Sequence, residues 1–411
     1  MTTDHAPSLT SQAAAPYDTL PGPVARMLAL FFERFTAGTL VVELPSGKRI
    51  IRRAAHGPEA VFKIARWRAL SRLVARGDIG FAEGYMAGDW TTPDLAALFA
   101  WAQVNENALS PAWAGSAVQR LADRFRHIAR ANTRRGSRRN IAAHYDLGND
   151  FYAAWLDPSM SYSSALYSDA APTLEAAQSA KIDRAIELLE VTAGTKVLEI
   201  GCGWGALAER LIATHGSHVT GLTLSHEQLA YASARLRDTD PTGTSAIMLK
   251  DYRDIAGTFD RIVSIEMLEA AGEKNWPAYF AKLRDCLNPG GVAVIQVITI
   301  EEPRFEAYRR RPDFIQRYIF PGGMLPTVQH MRELTAGAGL KLDHVELFGQ
   351  SYARTLADWR ERFLAAWPGM RGATGTERFR RMWEYYFSYC EIGFKTGATD
   401  VGLYRVRRPC I

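Results

Sequence analysis

Residues 196–207 read K-V-L-E-I-G-C-G-W-G-A-L, and this stretch decides the fold class. Its apolar start predicts a strand that is covered on both faces, as in a parallel sheet. Gly201, Gly203 and Gly205 follow, and without β-carbons they let a ligand lie close to the backbone. The residues after them have a helical pattern, so the N–H groups of the first turn face the glycines. Strand, glycine turn and helix together predict a nucleotide-binding element.

The position of an acidic residue indicates which nucleotide binds. Gly201, Gly203 and Ala206 fit the loose G-x-G-x-x-G/A pattern, so a dinucleotide-dependent oxidoreductase is an alternative. That class needs an acid at the end of the second strand, about 20 residues on, whereas the strand at 218–223 has none at its tip. Glu199 instead precedes the glycines, where its carboxylate can accept two sugar hydroxyls. This arrangement favours S-adenosylmethionine, which carries no phosphate.

Length and composition indicate two globular domains. The chain has 411 residues, of which 47% are hydrophobic and 23% charged, and this length exceeds one ordinary core. No apolar run approaches the roughly 18 residues of a membrane span, and the N-terminus lacks the pattern of a secretory signal. The four cysteines are scattered without metal-ligand spacing. We therefore expect reduced thiols, a cytoplasmic location and no metal site.

Positive charge is concentrated in two segments. The net charge is +5, and residues 124–139 hold seven arginines and no acid. Residues 304–317 interleave arginines with aromatic side chains. Such patches can bind nucleic acid or anionic lipid, while a solvated linker is the alternative for the first patch. Since neither patch is accompanied by a nucleic-acid-binding module, no nucleic-acid partner is expected.

The order of elements predicts four regions. Residues 1–22 are a disordered tail, 23–108 a small α+β domain, 109–139 a basic helix and linker, and 140–411 the catalytic domain. In the small domain we predict a helix from Pro23, a hairpin over 38–53, and helices over 61–75 and 93–102, with a glycine-punctuated segment at 76–90.

The catalytic domain alternates strands with helices, which predicts an α/β fold with a doubly wound, Rossmann-like parallel sheet. Strands are expected at 196–200, 217–223, 245–250, 260–266 and 291–300. Residues 301–326 interrupt this alternation, and a segment of that length predicts a lid over a site.

Several motifs resemble those of the cyclopropane fatty acid synthases. They are H-Y-D-L-G-N-D at 144–150, D-P-S-M-S-Y-S at 157–163, L-E-I-G-C-G-W-G at 198–205, T-L-S-H-E-Q at 223–228, I-F-P-G-G-M-L-P at 319–326 and G-F-A-E-G-Y-M-A-G-D-W at 80–90. The resemblance covers about residues 60–408. It implies that S-adenosylmethionine donates a methyl group to the double bond of an unsaturated phospholipid acyl chain, which gives a carbocation. Proton loss from the new methyl closes a cyclopropane, whereas loss from the chain leaves a methylated or methylene-bearing alkene.

The resemblance also implies a cofactor site and aromatic side chains that stabilise the carbocation. The cofactor residues carried over by position are Tyr162, Ser163, Glu199, Gly201, Gly203, Gly205, Thr223, Leu224, Ser225, Gln228, Asp251 and Tyr252. The aromatic candidates are Tyr162, Tyr167, Trp204, Phe314 and Tyr318. His144 and Asp146 are expected to hold a structural segment over the cofactor, rather than to act as an acid–base pair.

The chain departs from the family at the residues that handle the proton. Family members that make cyclopropanes hold a bicarbonate with a cysteine, a glutamate, a histidine, a tyrosine and a backbone amide. The glutamate, the tyrosine and the amide match Glu269, Tyr352 and Ile298, but the cysteine is Ser164 and the histidine is Gln296. Glu266 stands where the family has glycine, and its side chain is expected either near the cofactor or in solvent.

Two interpretations of this departure stay open. Ser164 and Gln296 can still donate hydrogen bonds to a weakly held bicarbonate. Alternatively the anion is lost and a side chain takes the proton, with Glu269 as the leading base. Our hypothesis is that the change redirects the product from a cyclopropane toward a methylated alkene.

The resemblance implies further partners. The basic patches are expected to hold the enzyme on anionic phospholipid at the inner face of the membrane, and the family suggests a homodimer. The loss of the cysteine and histidine leaves one non-enzymatic alternative, a lipid-binding protein on a methyltransferase scaffold.

Overall fold

The computed structural model describes residues 22, 28–29, 32–113, 147–240 and 243–410. The chain divides into two compact units, residues 1–115 and 116–411. This division falls inside the segment predicted as a basic linker. Most of the predicted tail, the arginine-rich segment 124–139, and His144 and Asp146 lie outside the described residues.

The first unit is built on a four-stranded sheet with the order β2–β1–β3–β4. Strands β1 and β2 form the predicted hairpin, whereas β1 and β3 are parallel. The elements are β1 (Ala37–Glu43), β2 (Arg49–Arg53), β3 (Ala55–Ile64), α1 (Arg68–Met86), β4 (Trp90–Thr91), α2 (Leu95–Val104) and α3 (Glu106–Trp113).

The predicted helix at 61–75 is wrong at its start, because Val61 to Ile64 belong to β3. Alternate residues of this stretch, Phe62 and Ile64, are buried, and pairing with β1 settles the strand. The glycine-punctuated segment is also mostly helical. It continues α1 to Met86 across a kink at Gly77, whose φ and ψ are 60° and −135°.

The G-D-W motif at 88–90 has a structural role in this unit. The Asp89 carboxylate is fully buried and receives Arg68 Nη2 at 2.8 Å and Arg72 Nη1 at 3.1 Å. Trp90 is also buried, and its Nε1 donates to the Phe81 carbonyl at 2.8 Å. The motif therefore joins β4 to the start and middle of α1.

We expect Asp89→Ala to lower the free energy of unfolding by about 3 kcal/mol, since it leaves the arginines around a buried site unpaired. Chemical denaturation of the full chain measures this. Asp94→Ala, which removes the N-cap of α2, is the control and should cost about 1 kcal/mol. Equal losses for the two variants would contradict the prediction.

The second unit contains a seven-stranded sheet with the order β10–β11–β9–β8–β5–β6–β7. Its strands are β5 (Lys196–Ile200), β6 (His218–Thr223), β7 (Ala246–Leu249), β8 (Phe259–Ile265), β9 (Leu287–Ile300), β10 (Lys341–Leu347) and β11 (Thr399–Arg407). Its helices are α4 (Asn149–Ala153), α5 (Leu174–Leu189), α6 (Ala206–His215), α7 (His226–Thr239), α8 (Leu268–Ala271), α9 (Trp276–Cys286), α10 (Glu302–Arg310), α11 (Val328–Gly337), α12 (Gly349–Thr374) and α13 (Glu377–Lys395).

The sheet confirms the predicted α/β class with one correction. Strand β11 runs antiparallel to both β9 and β10, so the sheet is mixed rather than fully parallel. The reason is the connection: two helices, α12 and α13, lie between β10 and β11, and the chain re-enters the sheet from the end at which it left.

The interruption predicted at 301–326 is an insertion between β9 and α11. It contains α10 and a π-helical turn, Ile315–Ile319. Its far end returns to β9, because the Ile300 amide donates to the Pro326 carbonyl at 2.9 Å. The Met324 amide donates to the Glu269 carbonyl, also at 2.9 Å. The insertion therefore packs against the loop that follows β8, as a lid over that loop would.

Candidate active site

The predicted site residues gather at the ends of neighbouring parallel strands. Glu199 is the second-last residue of β5, Thr223 ends β6, and Glu266 directly follows β8. These strands are adjacent in the sheet. The carboxyl ends of parallel strands meet at one edge, where α/β proteins bind their ligands.

The glycine turn has the geometry that the sequence predicted. Gly201, Gly203 and Gly205 have φ values of 82°, 52° and 86°, a region that favours glycine. A β-carbon on Gly203 would meet no atom within 4 Å, whereas one on Gly205 would lie 3.0 Å from the Ala232 side chain. Gly203 therefore faces open space where a ligand could lie, and Gly205 allows α6 to pack closely on α7.

Glu199 offers an acceptor next to this turn. The residue is 3% exposed, and among the described residues its Oε2 atom has no hydrogen-bond partner. Burial raises the pKa of Glu199 to about 8, although the Lys181 charge opposes the rise. A buried carboxylate oxygen without a partner costs free energy. Sugar hydroxyls would satisfy it, so the residue fits the role expected for it.

The predicted cofactor residues after β6 are connected by hydrogen bonds to one another. Thr223 Oγ1 donates to Gln228 Oε1 at 2.8 Å and accepts from the Ser225 amide at 3.1 Å. The Ser225 side chain caps α7. Leu224 lies between them and is half-buried. Their direct contact with a cofactor stays a prediction.

Asp251 and Tyr252 lie at the same edge of the sheet, and their side chains have different neighbours. The Asp251 carboxylate is buried and accepts from Arg253 Nε at 2.8 Å and Nη2 at 2.6 Å. Tyr252 packs on Tyr279 with ring centroids 5.4 Å apart, and its buried hydroxyl has no partner among the described residues. Asp251 therefore positions Arg253, and Tyr252 keeps an unused donor.

Glu266 is the centre of a converging set of donors. Its Oε1 accepts from the Ser164 amide and from Gln296 Nε2, both at 2.8 Å. Its Oε2 accepts from the Tyr352 hydroxyl at 2.7 Å. Burial raises the pKa of Tyr352 well above its usual value, so this hydroxyl keeps its proton and donates. The open question about Glu266 is thereby decided: its side chain points into the protein.

The backbone at Glu266 is unusual. Its φ is 50°, in the left-handed region that costs a residue with a side chain about 1 kcal/mol. The resemblance places a glycine here, which adopts this conformation freely. The chain thus keeps a carboxylate at a position where glycine is easier, and strain of this kind is a pointer to function.

Glu269 lies beside this pocket at the start of α8. Its Oε1 accepts from the Ile298 amide at 2.5 Å, which is the amide position expected from the resemblance. Its Oε2 is enclosed and has no partner among the described residues. Burial first, and then the Glu266 charge, raise the pKa of Glu269 to about 8.

Among the aromatic candidates, Tyr162 lies within a cluster of aromatic rings. Its ring lies 5.3 Å from Trp359 and 6.4 Å from Phe320, and its hydroxyl donates to Tyr386 at 3.1 Å. Trp204 joins the cluster through Tyr152, at 5.1 Å.

Three other aromatic candidates have different surroundings. Tyr167 donates to Asp358 at 2.5 Å and lies under Arg354, so it belongs to a separate polar cluster. Phe314 packs on Tyr318 and Tyr385. A role of these three residues in stabilising the cation stays a prediction.

The sequence interpretation missed two groups of residues. Phe320, Trp359 and Tyr386 complete the aromatic cluster around Tyr162, and no local signal separates them from core aromatics. Gln178 and Lys181 are buried polar residues on α5. Their signal was present, because both fall at the helical spacing of the apolar residues of this helix.

Comparisons with known proteins agree with this geometry. The family model of the mycolic acid cyclopropane synthetases matches residues 132–403. The tuberculostearic acid methyltransferase UfaA1 of Mycobacterium tuberculosis is 41% identical over 350 residues, which are 82% of this chain and 81% of that protein. The cyclopropane-fatty-acyl-phospholipid synthase of Escherichia coli K12 is 36% identical over 340 residues, 82% of this chain and 84% of that one.

A solved structure supports the same assignment. The crystal structure of mycolic acid cyclopropane synthase CmaA1 complexed with SAH and CTAB has a TM-score of 0.62 and 30% identity to this chain. It covers 66% of this chain and 98% of the crystallised one. These matches favour a methyltransferase over a dinucleotide oxidoreductase, and they confirm the resemblance read from the motifs. The chain belongs to the mycolic acid cyclopropane synthetase family.

Proposed function

We propose that this enzyme methylates the double bond of an unsaturated phospholipid acyl chain, that Glu266 serves where relatives are expected to hold bicarbonate, and that the product keeps a double bond. The underlying activity is that of the family, S-adenosylmethionine-dependent methyl(ene) transfer to unsaturated fatty acyl chains. Beyond this activity, we propose which lipid is the substrate, which residue is the base and which product forms.

The residues at the strand ends fit S-adenosylmethionine. Glu199 would hold the ribose, and the turn at Gly201–Gly203–Gly205 would pass along the amino-acid part. When bound, the cofactor supplies an electrophilic methyl group on a sulfonium. The protein has to hold the alkene beside it, exclude water and remove one proton from the resulting cation.

The observation that carries the proposal is the position of the Glu266 carboxylate. It occupies the backbone amide of Ser164 and the side-chain donors of Gln296 and Tyr352, and the last two are groups expected to bind a bicarbonate. A second anion would have to compete with a tethered carboxylate for these donors, and like charges repel. The pocket therefore does not fit bicarbonate, and we route no step through it.

Glu266 is the better base of the two glutamates. Burial raises the pKa of Glu266, but three donors and the Lys181 charge favour its ionised form. Glu269 has one donor and faces the Glu266 charge, so it is the one that holds a proton at neutral pH. Neighbouring carboxylates commonly divide one proton in this way. In this proposal Glu266 takes the proton from the carbocation. The sequence had instead favoured Glu269 as the base.

The geometry of the base bears on the product. Two donors already occupy Oε1, and one occupies Oε2, so a single acceptor direction on Oε2 remains. A bicarbonate would offer a third oxygen. A tethered base with one free acceptor direction takes the proton from one position of the carbocation. We propose that this position is on the acyl chain and not on the new methyl group. The higher identity to a protein named as a methyltransferase than to one named as a cyclopropane synthase supports this choice.

The proposal includes association of the enzyme with a lipid surface. Among the described residues, no helix is long and apolar enough to cross a membrane. In the basic segment 304–317, Arg304 and Arg309 pair with Glu301 and Glu273, and Arg310 pairs with Glu306. These pairs reduce its net positive charge. We propose contact with anionic phospholipid through this segment, and a homodimer stays a prediction.

The product identifies the reaction. Purified enzyme is incubated with S-adenosylmethionine and vesicles of palmitoyl-oleoyl phosphatidylglycerol, and the released fatty acids are analysed by mass spectrometry with ozone cleavage. We expect one added CH₂ and a cleavable double bond. Vesicles with only saturated chains are the control and should gain no mass. An added CH₂ without a cleavable bond would overturn the product, and no gain in mass would overturn the substrate.

A further inference from the structure

Lys181 is a buried cation that the reaction described above does not use. It lies on α5 and is 3% exposed. Its Nζ atom donates to Ser163 Oγ at 2.7 Å. Burying an ammonium group costs several kcal/mol unless charges and hydrogen bonds compensate. A buried lysine on the apolar face of a helix therefore indicates that its charge has a role in the site.

Burial lowers the pKa of Lys181 to about 8, and the charges of acidic groups on three other parts of the fold oppose this shift. They are Glu199 on β5, Glu266 after β8, and Asp157 in the loop after α4. Asp157 already accepts from the amides of Ser159 and Ser161, at 2.9 and 3.3 Å. Glu199 and Glu266 are the two acids that the site uses, and Lys181 is the cation that acts on both.

The same helix also holds the loop that completes the anion pocket. One turn before Lys181, Gln178 Nε2 donates to the Ser163 carbonyl at 2.8 Å and the Ser161 carbonyl at 3.3 Å. The next amide along the loop, that of Ser164, is the donor to Glu266. Gln178 and Lys181 thus fix loop 161–164 from one side, and the loop contacts Glu266 on the other.

We propose that Lys181 is a positioning residue that keeps Glu266 ionised by its charge and fixes loop 161–164 against the pocket. Gln178 contributes to the second task only, since it is neutral. The inference rests on the proposed role of Glu266 as base. The inference goes beyond that role, because it assigns the ionisation of the base to a residue that does not touch substrate.

The charges around Glu266 set the direction of the effect. Lys181 is the charged group that acts on it, Glu269 is the neighbouring carboxyl that holds a proton, and the hydroxyls of Tyr352 and Tyr386 are the other titratable groups. Removing the Lys181 charge leaves burial, which disfavours the carboxylate, opposed by the three hydrogen bonds alone. The pKa of Glu266 then rises, and the base loses activity at a higher pH than in the parent enzyme.

The test is the pH dependence of kcat, measured as release of S-adenosylhomocysteine. We expect Lys181→Met to move the acidic limb upward by about one pH unit. The loss of rate then approaches tenfold at pH values below the acidic limb of the parent enzyme, and it disappears above the limb of the variant. Lys181→Arg keeps the charge and should keep the limb. Gln178→Leu is the matched control, since it loosens the loop without changing charge, and should lower the rate equally at all pH values.

Two outcomes would overturn the inference. One is an unmoved acidic limb in Lys181→Met, with a loss like that of Gln178→Leu, in protein that binds S-adenosylhomocysteine by calorimetry. If Lys181→Met does not fold, Lys181→Gln is compared in the same way. The other is an equal shift by Lys181→Met in a Glu266→Gln background, which would assign the effect to another acid. Because S-adenosylhomocysteine release counts turnover whatever the product, ring closure would overturn the proposed product and leave this test intact.

Discussion

Glu266→Gln lowers turnover of S-adenosylmethionine by about 10²- to 10³-fold, the range expected when a general base is lost. The amide has nearly the shape of the carboxylate, so the loss reports the charge and the basic oxygen. Its NH₂ group would also face the Ser164 amide or the Tyr352 hydroxyl, which both donate to Glu266 in the parent. Initial-rate measurements of S-adenosylhomocysteine release check the result.

Glu266→Gly tests the relation to bicarbonate. This change empties the pocket, leaves its donors in place and relieves the positive φ. We expect low activity in bicarbonate-free buffer and about a tenfold gain on adding bicarbonate, because a free anion can then bind the donors. The parent enzyme should not respond to bicarbonate.

Glu190→Gly is the matched control for Glu266→Gly. Glu190 also has a left-handed backbone, with a φ of 53°, but it pairs with Arg405 and Arg407. We expect it to leave kcat and the bicarbonate response unchanged. Full activity of Glu266→Gln, or a parent enzyme that requires bicarbonate, would refute the role given to Glu266.

Glu199→Ala weakens binding of S-adenosylmethionine by about 100-fold. Hydrogen bonds to a charged group contribute about 1.5–3 kcal/mol, and a loss of about 2.7 kcal/mol is a factor of 100 in Kd. Isothermal titration calorimetry measures the change. Glu209→Gln, on the exposed side of α6, should bind like the parent. Parent-like affinity of Glu199→Ala would mean that another group holds the ribose.

The raised pKa of Glu199 adds a pH dependence to this prediction. Burial raises it to about 8, so the side chain is mostly protonated at neutral pH without cofactor. Two ribose hydroxyls would donate to the ionised form, and binding then releases a proton. The affinity of the parent should rise with pH, by at most tenfold per unit, and level off above about 8. Glu199→Gln should show a flat dependence across the same range.

Local pattern was sufficient for the elements around the glycine turn. The strand predicted at 196–200 is β5, and the helical pattern predicted after the glycines is α6. Such elements have long apolar runs or a clear helical period, which few other structures produce. The stretch 61–64 fits both a strand and a helix, so contact with β1 decided it. Local pattern could not predict the antiparallel direction of β11 either, since that direction depends on how two helices return the chain to the sheet.

The sequence by itself determined which residue types are present at the chemical positions and which are missing. It identified Glu269, Tyr352 and the glycine turn, and it showed that serine and glutamine replace the expected cysteine and histidine. Only the tertiary structure decided where the Glu266 side chain lies. Its donors come from residues 102, 30 and 86 positions away along the chain. Proximity over such separations results from the packing of the whole sheet, and no local pattern records it.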